Sequence, residues 1–251
     1  MATIGIFDSG SGGLSVYREL VKVLPAERFV YYSDNAHCPY GEKTAAYIQD
    51  RARTITDFLL EKGADIIVVA CNTATAAAIA TLRAEYPSVP FVGMEPAVKP
   101  AALGTKTGVI GVLATAGTLK GSKYLNTRGL YEDDVRIVEH VGQGFVELVE
   151  AGILDGREAE ATVRASLQPL LDQGADIIVL GCTHYPFLRP VIERIAGPAV
   201  QVIDPAPAVA RQTLRLLQDK GVSLGAGPFS TELHSSGDPA ALERIYALVK
   251  A

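Results

Sequence analysis

The chain alternates short apolar runs with longer segments whose apolar positions recur at helical spacing. TIGIFD, residues 3–8, is an apolar run that ends on Asp8, and after a glycine turn LSVYRELVKVL shows the helical period. The other strand-like runs are RFVYYSD, DIIVVA, VPFVGM, TGVIGVLA, DVRIVEH, DIIVLG and VQVID. Runs that are apolar at nearly every position are typical of parallel strands buried on both faces. The pattern therefore predicts an α/β fold with doubly wound parallel sheets flanked by helices.

Two of the predicted helices have recognisable ends. AAYIQDRARTITDFLLEKG finishes on Gly63, and glycine commonly ends a helix because it adopts left-handed backbone conformations without strain. SGDPAALERIYALVK places Asp238 to cap a helix and Pro239 at its first position. We therefore expect a helix to end near Gly63 and another to begin at Pro239.

One nine-residue sequence occurs twice. GADIIVVAC (residues 63–71) returns as GADIIVLGC (residues 174–182), with seven of nine positions identical. IGIFDS at 4–9 likewise matches IGVLAT at 110–115. Self-similarity at a long period indicates two copies of one α/β unit. We predict two similar domains related by a pseudo-two-fold axis, the first formed by residues 1–97 plus 210–251 and the second by residues 98–209.

Each copy of the repeat ends on a cysteine. Ligands of open α/β sheets bind beyond the carboxyl ends of the strands, so Cys71 and Cys182 are expected to face one cleft between the domains. Two thiols on opposite faces of a carbon suit the inversion of a stereocentre, in which one base removes a proton and an acid on the other side returns one. We expect each cysteine to stand just before a helix, whose N-terminus would lower the thiol pKa.

Four motifs carry a family resemblance. FDSGSGG at 7–13, PYG at 39–41, CNTAT at 71–75 and GCTHYP at 181–186 resemble, in this order and spacing, the glutamate racemases of the aspartate/glutamate racemase superfamily. The resemblance covers essentially the whole chain. It implies an isomerase that interconverts L- and D-glutamate without a cofactor and supplies D-glutamate for bacterial peptidoglycan.

The resemblance also assigns roles to residues. Cys71 and Cys182 correspond to the two acid/base residues, and Glu150 matches a glutamate near the second of them. By the same resemblance, Cys71 takes the proton from D-glutamate and Cys182 from L-glutamate. The remaining substrate-contacting or supporting positions are Asp8, Ser9, Tyr40, Gly41, Asn72, Thr73, Thr183 and His184.

The two halves differ in their titratable helpers. In the repeat, Asp8 corresponds to Ala114 and Thr73 corresponds to His184. We infer that Asp8 assists Cys71, and that His184, with Glu150, assists Cys182. An Asx turn for Asp8, a capping role for His184 and a solvated helix position for Glu150 are the alternative interpretations.

Composition and net charge limit the classes of binding partner that we expect. The chain has 251 residues and a net charge of −5, which gives no electrostatic reason to bind nucleic acid or an anionic membrane. The apolar runs are too short to span a bilayer, and the N-terminus does not resemble a signal peptide. Three cysteines without a C-x-x-C pair argue for reduced thiols in the cytoplasm. The sequence leaves a homodimer open. Cys38 has no counterpart in the repeat and is interpreted as incidental.

Other site types fit the sequence poorly. Gly10-x-Gly12 begins like a dinucleotide loop, but Ser15 stands where a third glycine is required; Asp34 only partly resembles a ribose-binding acid. No four potential zinc ligands have a suitable spacing, so neither a metal nor another cofactor is expected. Two alternatives to the glutamate enzyme stay open. One is a superfamily member that acts on aspartate, a hydantoin or maleate, and the other is a binding protein that captures a dicarboxylate without turnover.

Overall fold

The computed structural model describes residues 1–250, and these residues form nine strands and eleven α-helices. The strands are β1 Thr3–Asp8, β2 Arg28–Ser33, β3 Ile66–Val69, β4 Phe91–Gly93, β5 Val109–Ala114, β6 Arg136–Val141, β7 Ile177–Gly181, β8 Gln201–Ile203 and β9 Ser230–Ser235. The helices are α1 Leu14–Val23, α2 Ala45–Glu61, α3 Asn72–Glu85, α4 Val98–Gly104, α5 Ala116–Leu119, α6 Ser122–Gly129, α7 Phe145–Glu150, α8 Arg157–Leu171, α9 Arg189–Ala196, α10 Ala206–Asp219 and α11 Pro239–Lys250. The alternation expected from the apolar pattern is confirmed.

The strands form two parallel sheets. Their orders are β4-β3-β1-β2-β9 and β6-β5-β7-β8. In each sheet the opening strand of the unit (β1 or β5) lies between the strand that follows it (β2 or β6) and the strand that leads to the cysteine (β3 or β7). Apart from β9, the two sheets therefore repeat one connectivity, as the duplicated sequence predicted.

Both faces of each sheet are covered. In the first sheet Ile4 and Ile6 of β1 pack in a cluster with residues of α1 and α10, while Phe7 packs with residues of α2 and α3. In the second sheet Leu113 packs toward α8 and Val112 packs toward α4. Helices on both faces of a parallel sheet define the doubly wound α/β class, which confirms the predicted fold class.

Local signals fixed several element ends. Gly63 follows α2 with φ = 82°, a left-handed conformation, and so ends the helix as predicted. The Asp238 carboxylate accepts a hydrogen bond of 2.9 Å from the amide of Ala240, and Pro239 is the first residue of α11, again as predicted. No helix within residues 1–250 combines the length and apolar character that crossing a membrane requires.

The end of the chain returns to the first sheet. β9 runs parallel to β2 over six residue pairs, and α10 and α11 both pack against α1. β9 has no counterpart in the repeat, and the strand pattern of the sequence missed it. We propose that one domain comprises residues 1–97 plus 210–251 and the other residues 98–209. Helix α10 begins at Ala206, four residues before that boundary.

Candidate active site

A small cavity lies where the carboxyl ends of the two sheets meet. Its volume is about 10 Å³, and its lining residues are Ser9, Pro39, Tyr40, Gly41, Cys71, Asn72, Thr73, Thr115, Val146, Cys182, Thr183 and His184. The two repeated cysteines therefore share one cavity. Of the eleven residues predicted for the site, nine line this cavity, whereas Asp8 and Glu150 lie behind it.

Cys71 is held at the start of α3. It follows β3 in an extended conformation, caps the helix, and its sulfur accepts a hydrogen bond of 3.4 Å from the amide of Ala74. The sulfur also lies 3.8 Å from the hydroxyl oxygen of Ser9. The prediction that Cys71 directly precedes a helix is thus confirmed.

Asp8 lies buried beside this thiol. Its carboxylate accepts hydrogen bonds of 2.7 Å from the amides of Ser9 and Gly13, and one of 3.3 Å from the hydroxyl of Thr183 in the other half. Burial raises the pKa of Asp8 above its ordinary value, although nearby His184 and a hydrogen bond from Cys71 oppose the shift. Asp8 thus does not line the cavity itself, but it binds Ser9 and Thr183, which do.

The Cys71 thiol does not have the lowered pKa expected from the helix N-terminus. Burial raises its pKa well above the ordinary value, the negative charge of Asp8 raises it further, and the hydrogen bond from Ala74 only partly opposes them. The expectation was wrong because burial and a neighbouring carboxylate together outweigh the helix dipole. In this closed arrangement Cys71 is a thiol.

Cys182 has a different setting. It directly follows β7 and stands three residues before a 3₁₀ helix, Tyr185–Leu188, so the expectation that a helix begins just after this thiol was wrong. Its sulfur lies 3.7 Å from Nδ1 of His184, and Nε2 of that ring lies 2.7 Å from Oε1 of Glu150. Cys182, His184 and Glu150 therefore form a chain of three groups.

The glycine loop after β1 completes that chain. Glu150 accepts hydrogen bonds of 2.6 Å from the amide and 3.0 Å from the hydroxyl of Ser11. A Cβ atom at Gly12 would lie 2.3 Å from Nδ1 of His184, so only glycine lets the ring pack against this backbone. Ser15 donates a hydrogen bond of 2.9 Å to the carbonyl of Thr183. Glycine at position 12 thus leaves room for the imidazole of His184. Ser15, which stands where a dinucleotide loop would need a third glycine, links the two halves of the site.

The charges of His184 and Glu150 stabilise each other. Burial lowers the pKa of His184, but hydrogen bonds with Cys182 and Glu150 outweigh it and hold that pKa well above its ordinary value. Burial raises the pKa of Glu150, and the hydrogen bonds from His184 and Ser11 lower it below the ordinary value. At neutral pH the pair is an imidazolium and a carboxylate, so a positive charge stands beside Cys182.

The loop before α2 forms one wall of the cavity through Pro39, Tyr40 and Gly41. The Tyr40 hydroxyl donates a hydrogen bond to Asp34, and Arg51 binds the same carboxylate through Nε at 3.0 Å and Nη2 at 2.8 Å. The buried carboxylate of Asp34 is therefore occupied by an ion pair with the partly exposed Arg51, which excludes the ribose-binding role that its position after β2 had suggested.

Asn72 has polar atoms without partners. Both its side-chain nitrogen and its side-chain oxygen are buried and make no hydrogen bond among the described residues. A buried amide that lines a cavity without a partner leaves a donor and an acceptor free for a ligand. This side chain is the best-placed polar anchor on the cavity wall.

Sequence reasoning missed Thr115, Pro39 and Val146. Thr115 lies 2.8 Å from Thr73 and 3.0 Å from Thr118, measured between hydroxyl oxygens, and this triad joins the two halves at the cavity. The signal was present, because Thr115 occupies in IGVLAT the position that Ser9 occupies in IGIFDS. The apolar lining of Pro39 and Val146 gave no comparable sign.

Sequence comparison places the chain in a family. Residues 4–213 match the model of the Asp/Glu/Hydantoin racemase family. The chain belongs to this family, and it is an amino-acid racemase.

Individual relatives within this family are glutamate racemases. The chain is 46% identical to the glutamate racemase of Stutzerimonas stutzeri over 248 residues, which cover 99% of this chain and 94% of that protein. Its fold matches Escherichia coli glutamate racemase in complex with L-glutamate and the activator UDP-MurNAc-ala, with a TM-score of 0.87, 32% identity, and coverage of 99% and 94% of the two chains. It also matches Francisella tularensis glutamate racemase in complex with D-glutamate, with a TM-score of 0.84, 27% identity, and coverage of 99% and 93%.

Proposed function

We propose that this protein interconverts L- and D-glutamate with two cysteines as the acid/base residues and without a cofactor. The observation that carries the proposal is that Cys71 and Cys182 line the same cavity from the two halves of a duplicated fold. A racemase needs a proton acceptor on one face of the α-carbon and a donor on the other, and the paired thiols meet that need.

In the L-to-D direction Cys182 would act as the base. Its thiolate removes the α-proton while the imidazolium of His184, 3.7 Å away, stabilises the sulfur's charge beforehand. The thiol of Cys71 then donates its proton to the opposite face, and Asp8 lies beside it to exchange a proton with the thiol or with the substrate ammonium. In the reverse direction the two cysteines exchange roles.

Substrate contacts follow from the cavity wall. The free side-chain amide of Asn72 offers a donor to a carboxylate group, and the hydroxyls of Ser9, Thr73 and Thr183 line the same cavity. The first amides of α3 point to the same place, because the first turn of a helix leaves its N–H groups without intrahelical partners. Choice of glutamate over aspartate rests on the relatives, two of which were solved with a glutamate enantiomer.

Binding requires the cleft to widen. A cavity of about 10 Å³ holds roughly one water molecule, and glutamate is several times larger. A second cavity of about 100 Å³ shares Pro39, Gly41, Thr115 and Val146 with the first and lies next to it. We infer that the substrate enters from this side as the two halves move apart.

Isotope exchange tests the reaction. In deuterated water, solvent deuterium should enter the α-carbon of glutamate during turnover, and circular dichroism should show loss of optical activity for either enantiomer. A dicarboxylate-binding protein without turnover would give neither signal. Faster racemisation of aspartate, or turnover of a hydantoin or maleate in place of glutamate, would support the superfamily alternative.

Cofactor independence has its own test. Dialysis against a chelator should leave the activity unchanged, and the purified protein should show no absorbance band from a bound aldehyde cofactor. Loss of activity on chelation, or such a band, would contradict the two-thiol mechanism.

The product defines the cellular role that we propose. D-glutamate is consumed in bacterial peptidoglycan synthesis, so depletion of the protein should be rescued by external D-glutamate. We further propose a cytoplasmic location and a homodimer, and light scattering of the purified protein tests the second.

A further inference from the structure

A third thiol stands beside the imidazole–carboxylate pair. Cys38, in the loop after β2, offers a sulfur that lies within 4.8 Å of ligand atoms of both Glu150 and His184. We propose that Cys38, Glu150 and His184 form an inhibitory site for a thiophilic divalent cation, with Zn²⁺ as the ion that it fits best. The proposal uses the proposed racemase activity only as one of two readouts.

The donor geometry suits a small tetrahedral ion. The three ligand atoms, Cys38 Sγ, His184 Nε2 and one carboxylate oxygen of Glu150, all lie within 4.8 Å of one another, and the last two are 2.7 Å apart. Zinc–ligand bonds of about 2.0–2.3 Å put neighbouring ligands roughly 3.5 Å apart. Closing the set around an ion therefore requires side-chain shifts of about 1 Å.

A glycine faces the point where the ligands converge. A Cβ atom at Gly10 would lie 2.3 Å from Oε1 of Glu150 and 3.2 Å from both Sγ of Cys38 and Nε2 of His184. The three donor atoms thus surround the position that any side chain at residue 10 would occupy. Glycine leaves that position free of protein atoms.

The chemistry of the donors selects the metal. One thiolate, one imidazole and one carboxylate match the mixed sulfur, nitrogen and oxygen ligands of zinc sites, and three protein ligands leave a fourth position for water. Burial raises the pKa of Cys38 to about 12, so the metal-free thiol is protonated. Binding therefore displaces its proton.

Coordination would stop proton transfer at Cys182. A metal on Nε2 replaces the hydrogen bond to Glu150 and removes the proton that makes the ring an imidazolium. Closing the ligand set moves the His184 ring by the same shift of about 1 Å and so disturbs the 3.7 Å contact between its Nδ1 and the sulfur of Cys182. The proposed acid/base residue on this side then loses its imidazolium partner, so turnover falls in both directions.

The activity test compares cysteine and histidine variants of one loop. Zn²⁺ should inhibit the wild-type enzyme, and the inhibiting concentration should rise at least tenfold in Cys38→Ser and Cys38→Ala. His37→Gln changes a neighbouring potential ligand outside the set, and its zinc sensitivity should match wild type. Equal zinc sensitivity of wild type and both Cys38 variants would overturn the proposal.

A spectroscopic test is independent of turnover. Co²⁺ bound to the doubly substituted protein Cys71→Ala/Cys182→Ala should give a thiolate-to-cobalt charge-transfer band, since Cys38 is then its last thiol. Adding Cys38→Ser should abolish the band and release zinc in competition with a chromogenic chelator. A band that persists without Cys38, or one that never forms although the wild-type enzyme is active, would contradict the site; a band together with a wild-type protein that does not racemise glutamate would contradict only the proposed function.

Discussion

The two halves of the site present the same atom in opposite electrostatic settings. Cys71 lies beside the buried carboxylate of Asp8, which disfavours a second negative charge, whereas Cys182 lies beside the imidazolium of His184. Duplication kept the positions of the thiols and changed their neighbours. The comparison teaches that a duplicated fold can place two equivalent thiols in unlike fields, with a negative charge beside Cys71 and a positive charge beside Cys182.

Removing either thiol should have the largest effect. Cys71→Ala and Cys182→Ala should each lower racemisation by about 10³-fold or more, because one face of the α-carbon then lacks its proton donor. Each variant keeps one base. With a substrate analogue that carries a leaving group on the β-carbon, Cys71→Ala should still eliminate from the L-enantiomer and Cys182→Ala from the D-enantiomer.

Serine at either position should also impair turnover severely. A hydroxyl is a far weaker base than a thiol, and each pKa unit of mismatch is worth about 1.4 kcal/mol. If both alanine variants eliminate equally from both enantiomers, the thiols do not face opposite sides of the carbon.

His184 should affect proton transfer on the Cys182 side only. His184→Asn should lower racemisation by about 10²-fold and should slow elimination from the L-enantiomer more than from the D-enantiomer, because it removes the positive charge beside Cys182. His140→Asn is the matched control, since its ring bonds only the carbonyl of Val141. Equal slowing of both eliminations would mean that His184 does not distinguish the halves.

The ion pair between Arg51 and Asp34 should position the loop on the Cys71 side of the cavity. Arg51→Met removes the bidentate bond to Asp34, which holds Tyr40, and should raise KM for both enantiomers about tenfold with a smaller change in kcat. Arg51→Lys should restore part of the loss. Arg53 on the same helix binds Glu85 in an equally bidentate but exposed pair, so Arg53→Met should leave both constants near wild type. A fall in kcat alone would argue against a positioning role.

The ion pair between Glu150 and His184, on the Cys182 side, should contribute to the stability of the fold. The pKa of Glu150 is lowered in the folded protein, so its contribution is present above the ordinary carboxyl value of 4.5 and is lost as the pH falls through the folded value. Glu150→Gln should therefore lower the free energy of unfolding by about 1–3 kcal/mol at neutral pH. Urea denaturation below pH 4.5 should show a shrinking difference; a constant difference would mean that the charge of Glu150 contributes little.

The smallest effect is expected at the unpaired thiol. Cys38→Ser should leave turnover in metal-free buffer within a few fold of wild type, because Cys38 has no counterpart in the repeat. A loss comparable to that at Cys71 or Cys182 would show that the assignment of the two bases is wrong.

Sequence reasoning reached much of this arrangement. The apolar runs predicted eight of the nine strands, and the signal is plainest in β1, β3, β5 and β7, which are buried along nearly their whole length. The repeat predicted that Cys71 and Cys182 face one cleft, and both line the same cavity. Strand β9, STELHS, escaped because polar residues alternate with few apolar ones at a sheet edge, which is a weak signal.

The site's electrostatics were harder to predict. The helix dipole acting on Cys71 can be inferred from the sequence, but the burial of Asp8 and its distance to the thiol cannot. Arg51 and Asp34 are 17 residues apart and reveal their pairing only when the loop is folded. Sequence spacing thus identified the groups that meet, whereas the balance between burial and charge required the packed structure.

The pairing of β9 with β2 gives the protein an order of completion during synthesis. Residues 98–209 are contiguous and have all their strands once that stretch leaves the ribosome, whereas the first sheet lacks its outer strand until residues 230–235 are made. Glu232 in that late strand pairs with Arg28, at the start of β2. The first sheet is therefore completed after the second, and after the last residue that lines the cavity, His184, has been made.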